Sequence, residues 1–360
     1  VENFGVGSSV TIQGRKAIID PTSDLTAGET YYISYPSGAF TNTGGDVSYV
    51  GTAYTFGVKP DFYELWAWGR NELGEIGGNF VGERSSPVQI PGSWTDVSIN
   101  STGGAGNGSA AKKDDTWWVW GENDRGQLGL NSTVLYSSPV QLPGTTWSQI
   151  AIGEYHTLGL KTDGTLWSWG DNEKGELGLN QAVSTQISSP TQIPGTTWSK
   201  LFNGSTHNSV AQKSDGTLWS WGGNFQGQLG DGSDTYRSSP VQIPGTNWSW
   251  VSPQGASMIA TRTDGTLWTW GSGYWGATGQ NNRTYYSSPR QIPGTNWATG
   301  DHSASSSHPG AAFAIKTDGT LWGMGRNDDG NLAQNMANNG FSSPVQIPGT
   351  TWSKVFGVGF

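Results

Sequence analysis

The chain has 360 residues and a net charge of −9, with 55 Gly, 20 Trp and no Cys. The acidic balance and the scattered Lys and Arg exclude the phosphate-binding face that sequence-independent nucleic-acid binding needs, and they disfavour anionic membrane surfaces. The absence of Cys excludes disulfides, zinc–thiolate sites and a Cys nucleophile, and no apolar run approaches the ~20 residues needed to span a bilayer.

Residue 1 is Val rather than Met, so a processed or partial chain is expected. Residues 1–50 read as a small β-rich module. Val10-Thr11-Ile12, Thr30-Tyr31-Tyr32-Ile33 and Val47-Ser48-Tyr49-Val50 are short strands between turns containing Gly, Ser and Asn. The module is too short to hold a large core alone.

From residue 51 the chain repeats. Ser-Ser-Pro-x-Gln-Ile/Leu-Pro-Gly is written at 85–92, 137–144, 188–195, 238–245, 287–294 and 342–349, with starts 52, 51, 50, 49 and 55 residues apart. A second phrase, Asp-Gly-Thr-Leu-Trp-Ser-Trp-Gly, stands at 163–170 and 215–222 and, slightly changed, at 264–271 and 318–325. A period near fifty residues marks a supersecondary unit that cannot bury its faces alone.

Each unit predicts four short strands. In the copy at 147–195 the first opens at Trp147–Ile150 and the second lies within 153–161. The turn Thr162-Asp163-Gly164 follows, where Gly accepts the positive φ of a tight hairpin. The third strand is Thr165–Trp169. Its period of two puts Leu166 and Ser168 on one face and Trp167 and Trp169 on the other. Pro190, in the Ser-Ser-Pro phrase, fits an outer edge strand, where a missing N–H costs no ladder bond.

Four-stranded sheets stacked radially make a β-propeller. Five units are whole: 94–144, 147–195, 198–245, 248–294 and 297–349. A sixth is expected to be composite, with 352–360 as its first strand and Gly51–Lys59, Leu65–Gly69 and Ser85–Gly92 as the other three. The expected fold is therefore all-β: a six-bladed propeller over 51–360, closed by N- and C-terminal strands, plus the small module at 1–50. A seven-bladed propeller is the alternative.

The stretch 153–178, Gly-Glu-Tyr-His-Thr-Leu-Gly-Leu-Lys-Thr-Asp-Gly-Thr-Leu-Trp-Ser-Trp-Gly-Asp-Asn-Glu-Lys-Gly-Glu-Leu-Gly, resembles a repeat of the regulator-of-chromosome-condensation family. The similarity covers about 51–360. It implies a propeller of blades near fifty residues, often seven of them. Founding members exchange nucleotide on a small GTPase and dock on chromatin. The acidic balance argues against chromatin here, and no insert comparable to their exchange wedge is present. Bacterial relatives include secreted inhibitors that bind a protein with one propeller face. A second resemblance concerns Ser23–Ser34 followed by Val50-Gly51-Thr52-Ala53, which is similar to a small β-module of bacteriophage tail-fibre and virion proteins. It implies virion attachment or oligomerisation through residues 1–50.

Candidate chemistry is sparse. His156 and His207 occupy the same slot in successive units, which argues for packing, since a catalytic His is needed once. His302 and His308 share a Ser-rich stretch with Asp301, without the order or spacing of a triad or a metal pair. Asp231-Gly232-Ser233-Asp234 and Asn327–Asn331 lack the later bidentate Glu of a calcium loop. Gly103-Gly104-Ala105-Gly106 has no βαβ context for a phosphate cradle. No catalytic residue, cofactor or metal is expected.

Departures between copies say more. The loop after Trp-Gly carries Glu173-Lys174 or Asp328-Asp329 in two copies, but Phe225 in the fourth and Tyr274-Trp275 in the fifth. These aromatics either meet a partner or fold inward to fill a gap. The variable stretches before each Ser-Ser-Pro are expected to form another ring of loops, with Arg283 and Tyr285 as further contact candidates. The expected function is a non-enzymatic, virion-associated structural protein whose rigid propeller presents loops. Its partners would be other virion proteins or a host-surface protein or glycan, not nucleic acid and without membrane insertion, and the N-terminal module could make it a homo-oligomer. The alternative is a secreted or cell-surface propeller that binds a protein or glycan.

Overall fold

In a computed structural model of the chain, the described residues are 10–13, 16–19, 30–33, 54–57, 63–99, 108–181, 184–202, 207–254, 256–300, 304–307, 310–335 and 338–355. The chain divides into two compact units, Val1–Tyr63 and Glu64–Phe360. In the first, Val10–Gln13 pairs antiparallel with Lys16–Ile19, and Thr30–Ile33 with Tyr54–Gly57. The expected strand at 47–50 lies outside the described residues.

The second unit is a series of antiparallel sheets. Sheet I has two strands, Tyr63–Gly69 and Arg84–Trp94. Five four-stranded sheets follow, each with its strands in chain order. Sheet II is Asp96–Ile99, Gly108–Lys113, Thr116–Gly121 and Tyr136–Gln141. Sheet III is Trp147–Ile152, His156–Lys161, Leu166–Gly170 and Ile187–Ile193. Sheet IV is Trp198–Leu201, Asn208–Lys213, Leu218–Gly222 and Arg237–Gln242. Sheet V is Trp248–Gln254, Ser257–Arg262, Leu267–Gly271 and Tyr286–Ile292. Sheet VI is Ala304–Ser307, Ala311–Ile315, Leu321–Asn327 and Asn338–Ile347.

The two repeated phrases act locally. In Asp163-Gly164-Thr165, Asp163 Oδ1 accepts the Thr165 N–H at 3.0 Å and its hydroxyl at 2.6 Å. Thr165 Oγ1 accepts the indole N–H of Trp167 at 2.9 Å. The same relay recurs from Asp215, Asp264 and Asp318. Beside each turn a cation lies over two indoles. Lys161 stands 4.8 and 4.1 Å from the Trp147 and Trp167 rings, and Lys213, Arg262 and Lys316 repeat the arrangement. Pro190 lies on the outer strand as expected. Ser168 faces Thr191 while Gly170 faces Ile187, so Ser188-Ser189-Pro190 bulges away from the ladder that Pro cannot serve.

The alternating faces of the third strand govern stacking. The Trp face looks to the preceding sheet: Trp147 and Trp169 of sheet III are buried with Ala110, Val119, Leu128 and Leu142 of sheet II and the loop it carries. The Leu/Ser face receives the following sheet, so Leu158, Leu166 and Ile193 are buried with Trp198 and Trp221 of sheet IV. Each inner indole also donates across the junction to a loop carbonyl. Trp120, Trp169, Trp221 and Trp270 reach the oxygens of Glu75, Gln127, Glu176 and Gln228 at 2.9, 2.9, 2.7 and 2.9 Å.

The expected ring closure by terminal strands is corrected. Tyr54–Gly57 is hydrogen-bonded to Thr30–Ile33 in its own unit, not to sheet I. Residues 351–355 form no strand, although Trp352 N donates to Gly319 O at 3.0 Å and Val355 packs on the cluster of Ile315, Leu321 and Ile347. Residues 356–360 lie outside the described residues. Sheet I keeps two strands, and its Trp face is open: Trp66 is 46% and Trp68 63% exposed, with Leu65, Ile76, Val97 and Ile99 beside them around a groove of about 470 Å³. The six sheets of this unit are thus a propeller-type stack not closed into a barrel. The two stretches expected to complete sheet I are not in its ladder: Tyr54–Gly57 pairs with Thr30–Ile33, and 351–355 form no strand.

Two glycines test this. A Cβ at Gly126 would fall 2.7 Å from the Ser188 Cα of the next sheet, whereas one at Gly330, in the equivalent loop of sheet VI, meets nothing within 4 Å. Their φ angles are 76° and 77°, so backbone strain cancels between them. Gly126→Ala is expected to cost about 1–3 kcal/mol more than Gly330→Ala in urea unfolding. Equal costs would mean that sheet VI does meet a further sheet.

Candidate functional site

All five residues singled out for partner contact lie on two successive third-to-fourth-strand loops, 223–236 of sheet IV and 272–285 of sheet V. The loops after Trp-Gly and the variable stretches, expected as separate rings, are the two halves of these connections. An Asn near the start of five of the six such loops joins the halves. Asn71, Asn123, Asn172, Asn224 and Asn327 accept the backbone N–H five residues on at 2.8–3.1 Å. The Asn224 amide also donates to the carbonyls of Ser233 and Thr235, at 3.0 and 3.1 Å. This recurring Asn two residues after Trp-Gly was visible in the sequence as a periodic signal, and the sequence reading passed over it.

Loop 272–285 departs from that design. Gly273 replaces the Asn, and a Cβ there would collide with the Thr284 carbonyl, so the two halves are pressed together. Tyr274–Gly276 forms a 3₁₀ turn with Trp275 at φ 64°, a strained region for a bulky residue. Tyr274 is 67% exposed and stacks edge-on against Trp275 at 5.1 Å. Trp275 itself is half-buried, with the Arg326 guanidinium 5.9 Å from its ring. Arg283 is exposed, and Phe225 and Tyr285 are each 53% exposed. Tyr236, not singled out beforehand, is exposed on the same loop as Phe225. Four of the five candidates are therefore accessible, and Trp275 backs the fifth-sheet turn.

The same side of the sheets is rich in acids. Glu173, Asp234 and Asp329 are exposed on loops of sheets III, IV and VI. Of its cations, Arg70, Arg125 and Arg326 pair with Glu72, Asp124 and Asp328 together with Asp329, while Lys174 and Arg283 lie on the loops of sheets III and V. Asp231, in the stretch that lacks a calcium loop's Glu, accepts from Ser233 and from Arg237 at 2.7 Å. Asn327 likewise serves as a loop clamp. Among the described residues, no group of three His, Asp or Glu side chains could hold a metal ion. His302 and His308 lie outside the described residues.

The repeated His slot is structural. His156 is buried between sheets III and IV, with its Nε2 2.9 Å from Ser209 Oγ. Ser209 donates to the Glu176 carbonyl at 2.9 Å, so its one proton is used and His156 Nε2–H donates to it. His156 Nδ1 is buried without a partner. Burial pushes this imidazole down to about 4, against a smaller upward pull from Glu176. His207, in the same slot one sheet on, places Nδ1 3.4 Å from Glu176 Oε1. Burial raises the Glu176 carboxyl, but the His207 contact, His156 and backbone N–H groups outweigh it and hold it below its usual range.

Stacked four-stranded sheets whose long loops lie on one side define a β-repeat fold. The repeats are of a recognisable kind: residues 114–160, 163–211 and 215–252 match the regulator of chromosome condensation (RCC1) repeat, and a second model of that repeat matches 147–176. The chain is 27% identical over 197 residues to the E3 ubiquitin-protein ligase HERC2 of Mus musculus, covering 47% of this chain and 4% of that protein. It is 30% identical over 179 residues to the mitochondrial RCC1 domain-containing protein RUG3 of Arabidopsis thaliana, covering 46% and 40%. The matched stretches thus span well under half of these relatives. The fold is that of Prp20p from Saccharomyces cerevisiae, with a TM-score of 0.65 at 16% identity, covering 82% of this chain and 75% of that one. That structure is described together with the binding of Prp20p to Gsp1p and histones.

These matches correct several expectations. They are to RCC1 repeats and RCC1-repeat proteins of eukaryotes, not to a tail-fibre module, so the virion and bacteriophage reading of the chain, its virion or host-surface partners and its virion or extracellular location are overturned. Three stretches of the chain are thus RCC1-like repeats, a likeness that fits the expectation of a non-enzymatic chain. No helix among the described residues is long and apolar enough to cross a membrane.

Proposed function

We propose that the chain is a protein-binding scaffold that engages its partner through the loop face of sheets IV and V, with Phe225, Tyr274, Arg283 and Tyr285 in the contact and Trp275 bracing Tyr274. The observation that carries this reading is the coincidence of two departures: the loop that abandons the Asn clamp is the one that carries the exposed aromatic pair. Aromatic side chains offer large contact area at low entropic cost. The description of Prp20p with two kinds of protein partner supports a protein ligand for the shared fold. The partner's identity does not follow from that likeness.

A photo-crosslinking amino acid at position 274 is expected to form adducts with another protein in cells that express the chain, while one at 163, on the turn side, does not. Adducts at both positions alike, or at 163 alone, would count against the reading. The double substitution Phe225→Ser with Tyr274→Ser is expected to weaken the captured complex by about 10-fold or more, with the melting temperature unchanged, because both side chains are exposed.

A further inference from the structure

Resting on that reading of the loop face, we infer that the partner presents Lys or Arg side chains, which dock across loops 223–236 and 272–285 between the exposed rings and the surrounding acids. Charge comes first. On the turn side, each Asp of the Asp-Gly-Thr phrase sits beside a Lys or Arg, as Asp163 does with Lys161 and Asp264 with Arg262. The loop side is unbalanced. Arg70, Arg125 and Arg326 are engaged by neighbouring carboxylates, Asp329 among them, while Glu173 and Asp234 stand exposed around the aromatic loops, opposed there by the exposed Arg283. A cation entering here meets the uncompensated charge of Glu173 and Asp234 on the loops of sheets III and IV.

Ring chemistry points the same way. This molecule already holds cations between pairs of aromatic rings: Lys213 lies 4.9 and 3.9 Å from the Trp198 and Trp219 rings, and Arg262 4.2 and 4.1 Å from Trp248 and Trp268. Tyr274 and Trp275 form a comparable pair at 5.1 Å and 75°, and the Tyr274 ring is open to solvent. Phe225 and Tyr285 extend the aromatic surface on both loops. The negative faces of these rings attract a guanidinium or ammonium group. An uncharged apolar partner would gain the rings but leave the acids to be desolvated without compensation.

The test uses the intact chain and a short peptide of alternating Arg and Gly, with a second peptide in which citrulline replaces every Arg. Citrulline keeps the shape and loses the charge. Fluorescence anisotropy is expected to show at least ~10-fold tighter binding of the Arg peptide at low salt, with the difference shrinking as ionic strength rises toward about 0.3 M. Tyr274→Ala and Asp234→Asn are each expected to weaken the Arg peptide several-fold, while Asp163→Asn on the turn side leaves it unchanged. Equal binding of both peptides, or full binding by Tyr274→Ala, overturns the inference. Adducts from position 274 with a protein whose binding ignores salt would also overturn it, while leaving the scaffold reading intact.

Discussion

Replacing Trp221 by Ala is expected to lower the stability of the sheet stack by about 3–5 kcal/mol. The same change at Trp68, in the same slot of the repeat, should cost within about 0.5 kcal/mol. Trp221 is buried, lies in the cluster with Leu166 and Ile193, and donates to the Glu176 carbonyl at 2.7 Å. Its removal leaves a cavity between sheets III and IV and takes away one of the two donors to the Glu176 carbonyl, which Ser209 still reaches. Trp68 is 63% exposed, and among the described residues no sheet packs on it as sheet III packs on Trp221. Urea unfolding read by circular dichroism checks the pair. A Trp68→Ala cost close to that of Trp221→Ala would mean that something covers the open face of sheet I in solution.

Acidification supplies the second large effect. An unfolded His156 titrates near 6.5, but in the folded chain its imidazole is pushed down to about 4 by burial. Above pH 6.5 both states are neutral at this residue and its full contribution to stability is present. As pH falls from 6.5 toward 4, the unfolded chain binds a proton that the folded chain refuses, so stability declines. The loss at this one residue amounts to about 3 kcal/mol by pH 4. Glu176, held below the usual carboxylate range, pulls the same way at lower pH: its contribution is present above that range and is lost as pH falls through its lowered value. Melting temperatures across this window should fall more steeply for the parent than for His156→Gln, whose amide can still donate to Ser209. A parallel fall in both proteins would assign the acid sensitivity to other groups.

Much of the fold was legible because its determinants are local. Asp163, Gly164 and Thr165 build their own turn, and Thr165 then fixes the Trp167 indole, all within five residues. Alternation in Leu166-Trp167-Ser168-Trp169 assigned the two faces correctly, and Pro190 marked the outer strand. The composite closing blade failed for the opposite reason. Residues 352–360 carry the right letters for a first strand, but letters do not choose a ladder partner, and Tyr54–Gly57 found its own at Thr30–Ile33. In the candidate site, the aromatic residues were legible as departures from the repeat. The Gly273 contact with Thr284 was not, because it depends on how two halves of one loop close on each other.

From the amino-acid order alone came the strand pattern, the tight turns and the division of each third strand into a bulky and a small face, since each depends on neighbours a few bonds away. Tertiary structure decided which of those faces are covered. Trp68 and Trp221 have nearly the same local sequence, yet one meets solvent and the other a packed sheet, because burial belongs to whatever arrives from a distant part of the chain. That same arrangement set Tyr274, Tyr285 and Phe225 on adjoining loops among unpaired carboxylates, and so gave the face its chemical character.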